Sequence, residues 1–185
     1  MMSLARWLKS MKRTDFAIYL NKYLTDYLVN TKGCSVKTID SYRYTFIYLL
    51  DFYTTLGITP ERITLADLTY ERVVKFYKWL EEEKKSSINT RNQRQSALQS
   101  FTKYLMYERP EYLSEYQRIL GIPLKKAPQR EISYLKTEGI KALMDQISID
   151  EHNGLRDYTM LMIMYSTGIR VSELLDIKVK DVSLS

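Results

Sequence analysis

The chain has 185 residues, 45% of them apolar, and a formal net charge of +6. That length fits one domain or two small ones, with enough apolar content for a core. A single cysteine, Cys34, and a single histidine, His152, exclude an internal disulfide framework and a zinc site of the Cys/His kind. No apolar run approaches the roughly 20 residues of a membrane-spanning helix. The N-terminus, Met1-Met2-Ser3-Leu4-Ala5-Arg6-Trp7, lacks the long apolar stretch of a secretory signal, so a cytoplasmic location is expected. The charge is uneven. Residues 1–130 hold 22 Lys and Arg against 13 Asp and Glu, whereas residues 131–185 hold 6 against 9. A basic front section suits a polyanionic partner. With only 6 Gly and 4 Pro, a mainly α fold is expected.

Apolar spacing predicts a first helix over 14–29, with Thr14 as cap and Phe16, Tyr19, Leu20, Tyr23, Leu24, Tyr27 and Leu28 on one face. A second covers 35–55, capped by Ser35 and stopped by Gly57, with Ile39, Tyr42, Phe46, Leu49, Leu50 and Tyr53 inward. A third covers 69–84, with Val73, Val74, Phe76, Tyr77 and Leu80 inward. A fourth runs over 87–107 on the stripe Ala97, Leu98, Phe101, Tyr104 and Leu105, and Pro110 stops it. A short fifth helix fits 111–120. Gly121, Pro123 and Pro128 break the pattern over 121–131, which reads as a basic linker. Beyond it, Ile140, Leu143, Met144 and Ile147 mark a sixth helix, and Tyr158, Leu161, Met162 and Tyr165 a seventh. Gly168 then turns the chain and Arg170 opens an eighth. Cys34 reads as a small apolar residue, and the 16 tyrosines, at helical spacing, as core or rim.

Two groups of motifs point to a family. Ser35-x-x-Thr38-x-x-x-Tyr42, Ser87-x-x-Thr90-x-Asn92 and Phe101-x-x-Tyr104-Leu105 lie in the front section. Pro128, Ile132-Ser133-Tyr134-Leu135, Arg156-Asp157 and then Tyr165-Ser166-Thr167-Gly168-Ile169-Arg170-Val171-Ser172-Glu173-Leu174 lie behind it. Together they resemble the tyrosine recombinases, also called the phage integrase family. Lys136 and Gly139 depart from the Thr and Glu often found there, which removes a helix cap.

The resemblance implies a helical, SAM-like core-binding bundle over 1–120, the linker 121–131, and the start of a mostly helical catalytic domain over 132–185. It implies the DNA-binding portion of a site-specific recombinase acting in integration, excision or strand exchange. Such chemistry proceeds through a tyrosine nucleophile without metal or cofactor. Arg170 would be the first catalytic arginine. Its planar fork can hold two phosphoryl oxygens, and a helix start after a Gly turn adds the helix dipole. Glu173, three residues on, would orient it. The family's hairpin Lys, His-x-x-Arg pair and nucleophile all follow the first arginine. No tyrosine follows Arg170 here, so the chain alone is expected to be inactive.

The expected partner is duplex DNA, with self-association on DNA in the parent protein. Expected contacts are Lys37, Thr38, Ser41 and Arg43 from the second helix, and Thr90, Arg91, Arg94, Gln95 and Lys103 from the fourth. Lys125, Lys126 and Arg130 would track phosphates along the linker. Two other classes stay open: a naturally short, non-catalytic DNA-binding protein derived from a recombinase, and a helical protein-interaction module.

Overall fold

The computed structural model describes residues 14–128, 134–151 and 153–181. Expectations placed on Arg130, Ile132, Ser133 and His152 lie outside what is described. The chain divides into two compact units, Met1–Pro128 and Gln129–Ser185. Among the described residues there is no strand.

In the first unit, α1 (Asp15–Lys22) starts at Thr14, whose hydroxyl accepts from the Ala17 N–H. The expected single helix over 14–29 does not persist as one. After Lys22 the backbone widens into a π-helical segment, Tyr23–Thr31. The Thr25 hydroxyl donates to the Asn21 carbonyl at 2.8 Å, a local competitor for the α-helical ladder. The wider turn still brings Tyr23, Leu24 and Leu28 inward.

Helix α2 (Val36–Thr55) is capped by Ser35 and α3 (Tyr70–Glu82) by Thr69, each accepting the N–H three residues on. Gly57 takes the left-handed conformation expected of a helix stop. Within α3, Val73, Phe76, Tyr77 and Leu80 are buried, but Val74 is exposed. The i, i+3, i+4, i+7 rule selects the first four, and position 74 falls off that stripe. Helix α4 (Ile88–Glu108) ends just before Pro110, and a turn of 3₁₀ helix, Pro110–Tyr112, precedes α5 (Leu113–Leu120). The fifth helix, expected over 111–120, therefore starts two residues later, behind the 3₁₀ turn.

Helix α4 packs against α2, α3 and α5 and forms the centre of the bundle. Its Phe101 is the hub of the core. The ring meets Phe16 of α1 edge-on at 5.9 Å and Phe46 of α2 edge-on at 5.1 Å, and lies 5.1 Å from Tyr23. Such pairs add to the burial of apolar area itself.

The second unit contains α6 (Thr137–Asp145), α7 (Gly154–Thr167) and α8 (Val171–Asp176). Lys136 sits at the N-cap of α6 and gives it no side-chain hydrogen bond, as its departure from the family pattern suggests. Helix α7 ends at Gly168, which adopts φ +68°, a conformation that any side chain strains. Leu174 is the buried apolar residue of this unit among those described, whereas Leu175 is exposed.

Because one ring joins three segments, Phe101→Ala should cost the first unit about 3–5 kcal/mol in chemical denaturation. A loss below about 1 kcal/mol would show that Phe101 is not the hub.

Candidate nucleic-acid interface and phosphate clamp

An open groove of about 420 Å³ runs between α2 and α4. Lys37, Asp40, Ser41, Tyr44 and Thr45 line it from α2, and Gln93 and Arg94 from α4. Helical geometry explains the α2 side. Residues 37, 41, 44 and 48 recur at spacings of four and three and share a face. The Gln93 amide donates to the Ser41 hydroxyl at 3.0 Å and ties the two walls together.

Arg94 and Lys37 are the cations of this groove. The Arg94 guanidinium lies 4.0 Å from the centre of the Tyr48 ring, a cation–π stack that holds the fork in place. Among the described residues its Nε has no hydrogen-bond partner. Burial lowers its proton affinity below the ordinary value, and Tyr48 opposes that. An arginine so placed stays charged. Asp40, the carboxylate of the groove, is engaged by Arg43 at 3.1 Å.

The other expected contacts divide by environment. Thr38 and Thr90 share hydroxyl hydrogen bonds with the capping residues Ser35 and Ser87, at 3.0 and 2.9 Å. The repeated Ser-x-x-Thr pattern is therefore a pair of helix starts. Arg43 lies off the Lys37–Ser41–Tyr44 stripe. Lys103 is exposed, but nine residues from Arg94 is about two and a half turns, so it faces the opposite side of α4.

Arg91 and Gln95, expected on the surface, are buried: 5% and 0% of their surface is accessible. Arg91 stacks over Tyr77 at 4.6 Å, lies 3.4 Å from the Glu81 carboxylate, and donates to the side-chain oxygens of Asn92 and Gln95. The Gln95 amide in turn donates to the Ile122 carbonyl at 2.6 Å. A buried cation and a buried amide need partners, and the neighbouring α3 helix and the linker supply them. Lys125 pairs with Glu81 at 2.5 Å, while Lys126 is exposed.

Sequence reasoning missed Tyr44 and Gln93 in the groove, Tyr48 under Arg94, and the linker contacts of Asn92 and Gln99. The i+7 and i+11 spacing of Tyr44 and Tyr48 from Lys37 was the available signal. Asn92 stood in the Ser87-x-x-Thr90-x-Asn92 motif, but nothing local showed its role or that of Gln99, because their partners lie 21 to 33 residues away.

In the second unit the Gly168 turn delivers Arg170 to the N-cap of α8. Glu173 accepts from the Arg170 backbone N–H at 2.9 Å and from one terminal guanidinium nitrogen at 2.9 Å. This is the reach of an N3 glutamate in a capping box. The Arg170 side chain remains 81% exposed. Since α8 has six residues, the ion pair and backbone donor matter more here than any helix dipole. Those two donors, the backbone N–H first and the guanidinium second, hold the Glu173 carboxyl below its ordinary range.

Five tyrosines, Tyr23, Tyr53, Tyr77, Tyr104 and Tyr116, are buried in the first unit, and burial pushes each hydroxyl well above its ordinary pKa. They are core residues, not nucleophiles.

Models of two parts of one family match the chain: "Phage integrase, N-terminal SAM-like domain" over residues 20–109 and "Phage integrase family" over residues 133–185. The chain belongs to the phage integrase family. A Sinorhizobium fredii protein named for an integrase/recombinase role, y4rC, is 31% identical over 92% of this chain and 52% of its own length. Tyrosine recombinase XerD of Haemophilus influenzae is 27% identical over 90% of this chain and 52% of its own length. Tyrosine recombinase XerC of Bacillus pumilus is 30% identical over 86% of this chain and 50% of its own length. The chain thus spans about half the length of these curated relatives. No solved structure gives a significant match. Among the described residues no helix is long and apolar enough to cross a membrane.

The Glu173 carboxyl should titrate below the ordinary glutamate value of about 4.3, as read by carbon-detected NMR. Its stabilisation of α8 should be complete above that value and lost as the pH falls through the lowered one. Arg170→Ala should raise the titration point only part of the way, because the backbone N–H remains. Titration at or above the ordinary value in the unaltered chain would break the pairing.

Proposed function

We propose that the first unit binds duplex DNA along the α2–α4 groove, and that the second carries the phosphate clamp of a site-specific DNA breaking-and-rejoining enzyme. The observation that carries this reading is Arg94, seated on Tyr48 in a groove shared with Lys37 and lined by hydroxyl and amide groups. Arginine and lysine supply the phosphate contacts, and small polar side chains fix register on the duplex. Lys126 adds a cation on the linker. Arg91 and Gln95 drop out of the contact set because they are buried, and Lys103 because it faces away.

In the parent reaction a tyrosine hydroxyl attacks the phosphorus, a 5′-hydroxyl leaves, and the DNA is held as a 3′-phosphotyrosyl ester. Arg170 would hold two non-bridging oxygens as charge builds on them, with Glu173 fixing the fork. The proton transfers and the nucleophile would come from residues that the family places after its first arginine. Copies of the full-length protein would associate on DNA to exchange strands.

Two measurements test this. Duplex affinity should fall with salt at a log–log slope of about −4 to −5, if roughly five phosphates are neutralised. Arg94→Ala should make that slope shallower by about 1, and Arg91→Ala should leave the slope unchanged. A flat salt response, or equal slopes for the wild type and Arg94→Ala, would remove the groove from the interface. On a nicked suicide substrate the 185-residue chain should form no covalent adduct, since no tyrosine follows Arg170. A covalent band would contradict the assigned roles.

A further inference from the structure

The segment after α5 is punctuated like a flexible linker, with Gly121, Pro123 and Pro128, yet its first residues are held by one side of α4. Asn92 makes a two-way contact with Lys125. Its amide donates to the Lys125 carbonyl at 2.7 Å, and its oxygen accepts the Lys125 N–H at 3.1 Å. Gln95 donates to the Ile122 carbonyl at 2.6 Å, and Gln99 donates to the Leu120 and Ile122 carbonyls at 3.3 and 3.2 Å. Positions 92, 95 and 99 are spaced three and four apart and form one stripe. They give an extended strand the backbone partners it would otherwise take from water.

Arg91 sets the direction of two of these amides. An amide side chain can present either its oxygen or its NH2 group to a neighbour. Arg91 donates to the oxygens of both Asn92 and Gln95, so the NH2 ends are turned toward the linker carbonyls. Tyr77 and Glu81 of α3 hold Arg91 from the other side, and Glu81 also takes the Lys125 ammonium.

We infer that Asn92 and Gln95, oriented by Arg91, form with Gln99 a latch that makes residues 121–125 a rigid part of the first unit. The joint leading to the second unit then begins at Lys126. If the chain binds DNA as proposed above, the latch means that residues 121–125 are already ordered before both DNA-facing parts engage, which lowers the entropy lost then.

The test needs no DNA, so its failure is separate from failure of the DNA reading. Backbone ¹⁵N relaxation on the full 185-residue chain should give residues 121, 122, 124 and 125 order parameters of about 0.8 or more, like those of α4. In the triple variant Asn92→Asp, Gln95→Glu and Gln99→Glu, the oxygens facing Arg91 persist while the side-chain donors to the Lys125 and Ile122 carbonyls are lost. The same residues should then drop toward about 0.6, while α4 amides keep wild-type values. The Lys125 amide should exchange roughly 10-fold or more slower than an unstructured amide in the wild type, and lose that protection in Asn92→Ala. Loop-like order across 121–125 in the unaltered protein would overturn the latch on its own, whichever variants fold. So would wild-type rigidity in the triple variant.

Discussion

Helix α4 is enclosed by α2, α3 and α5, so side chains on several of its faces must be satisfied inside the bundle. One face carries Phe101 into the aromatic core, where it joins α1, the π-helical segment and α2. Another carries Arg91 and Gln95, polar groups whose burial would be costly without partners. Glu81, Tyr77 and the linker carbonyls provide them. A third places Arg94 in the groove shared with α2. The same helix therefore organises the core, the candidate DNA surface and the exit path of the chain, and a residue's position around its axis decides which of the three it serves.

The two candidate functional arginines are prepared differently. Arg94 is held by a ring, and its buried Nε has no hydrogen-bond partner among the described residues. Arg170 is held by a carboxylate on its own helix and is otherwise exposed. Stacking constrains a guanidinium without neutralising it, which suits a contact that tracks phosphate. A carboxylate partner fixes geometry more tightly and keeps the fork aimed, which suits a site where charge develops at one place. The Gly168 turn belongs to the second arrangement, because only a left-handed residue there turns the chain from α7 into α8.

Much of the architecture was legible in local pattern. Apolar spacing and turn residues together pointed to the α-helices found among the described residues, and Ser35, Thr14 and Gly168 marked ends that the backbone uses. The Thr167–Leu174 run also located the Arg170–Glu173 pair, since the two groups are three residues apart and meet on one turn. The errors share a cause. Val74 was placed inward because valine is apolar, although its angular position is not on the stripe. The π-helical stretch escaped notice because an α spacing and a slightly wider one bury nearly the same residues over two turns.

The sequence by itself determined most helix positions and the Arg170–Glu173 pairing, because each is set by residues within a few positions of one another, and the family from several short motifs of that kind. Only the tertiary structure decided the fate of Arg91, Arg94 and Gln95, three polar residues within five positions of one helix. In the sequence they are alike, a basic and amide-rich helix start suited to DNA. In the fold one faces a groove and two face α3 and the linker. That difference rests on neighbours far along the chain, Glu81, Tyr48 and Ile122, and on which side of α4 each packs. Burial is a property of the packed bundle, and no local spacing encodes it.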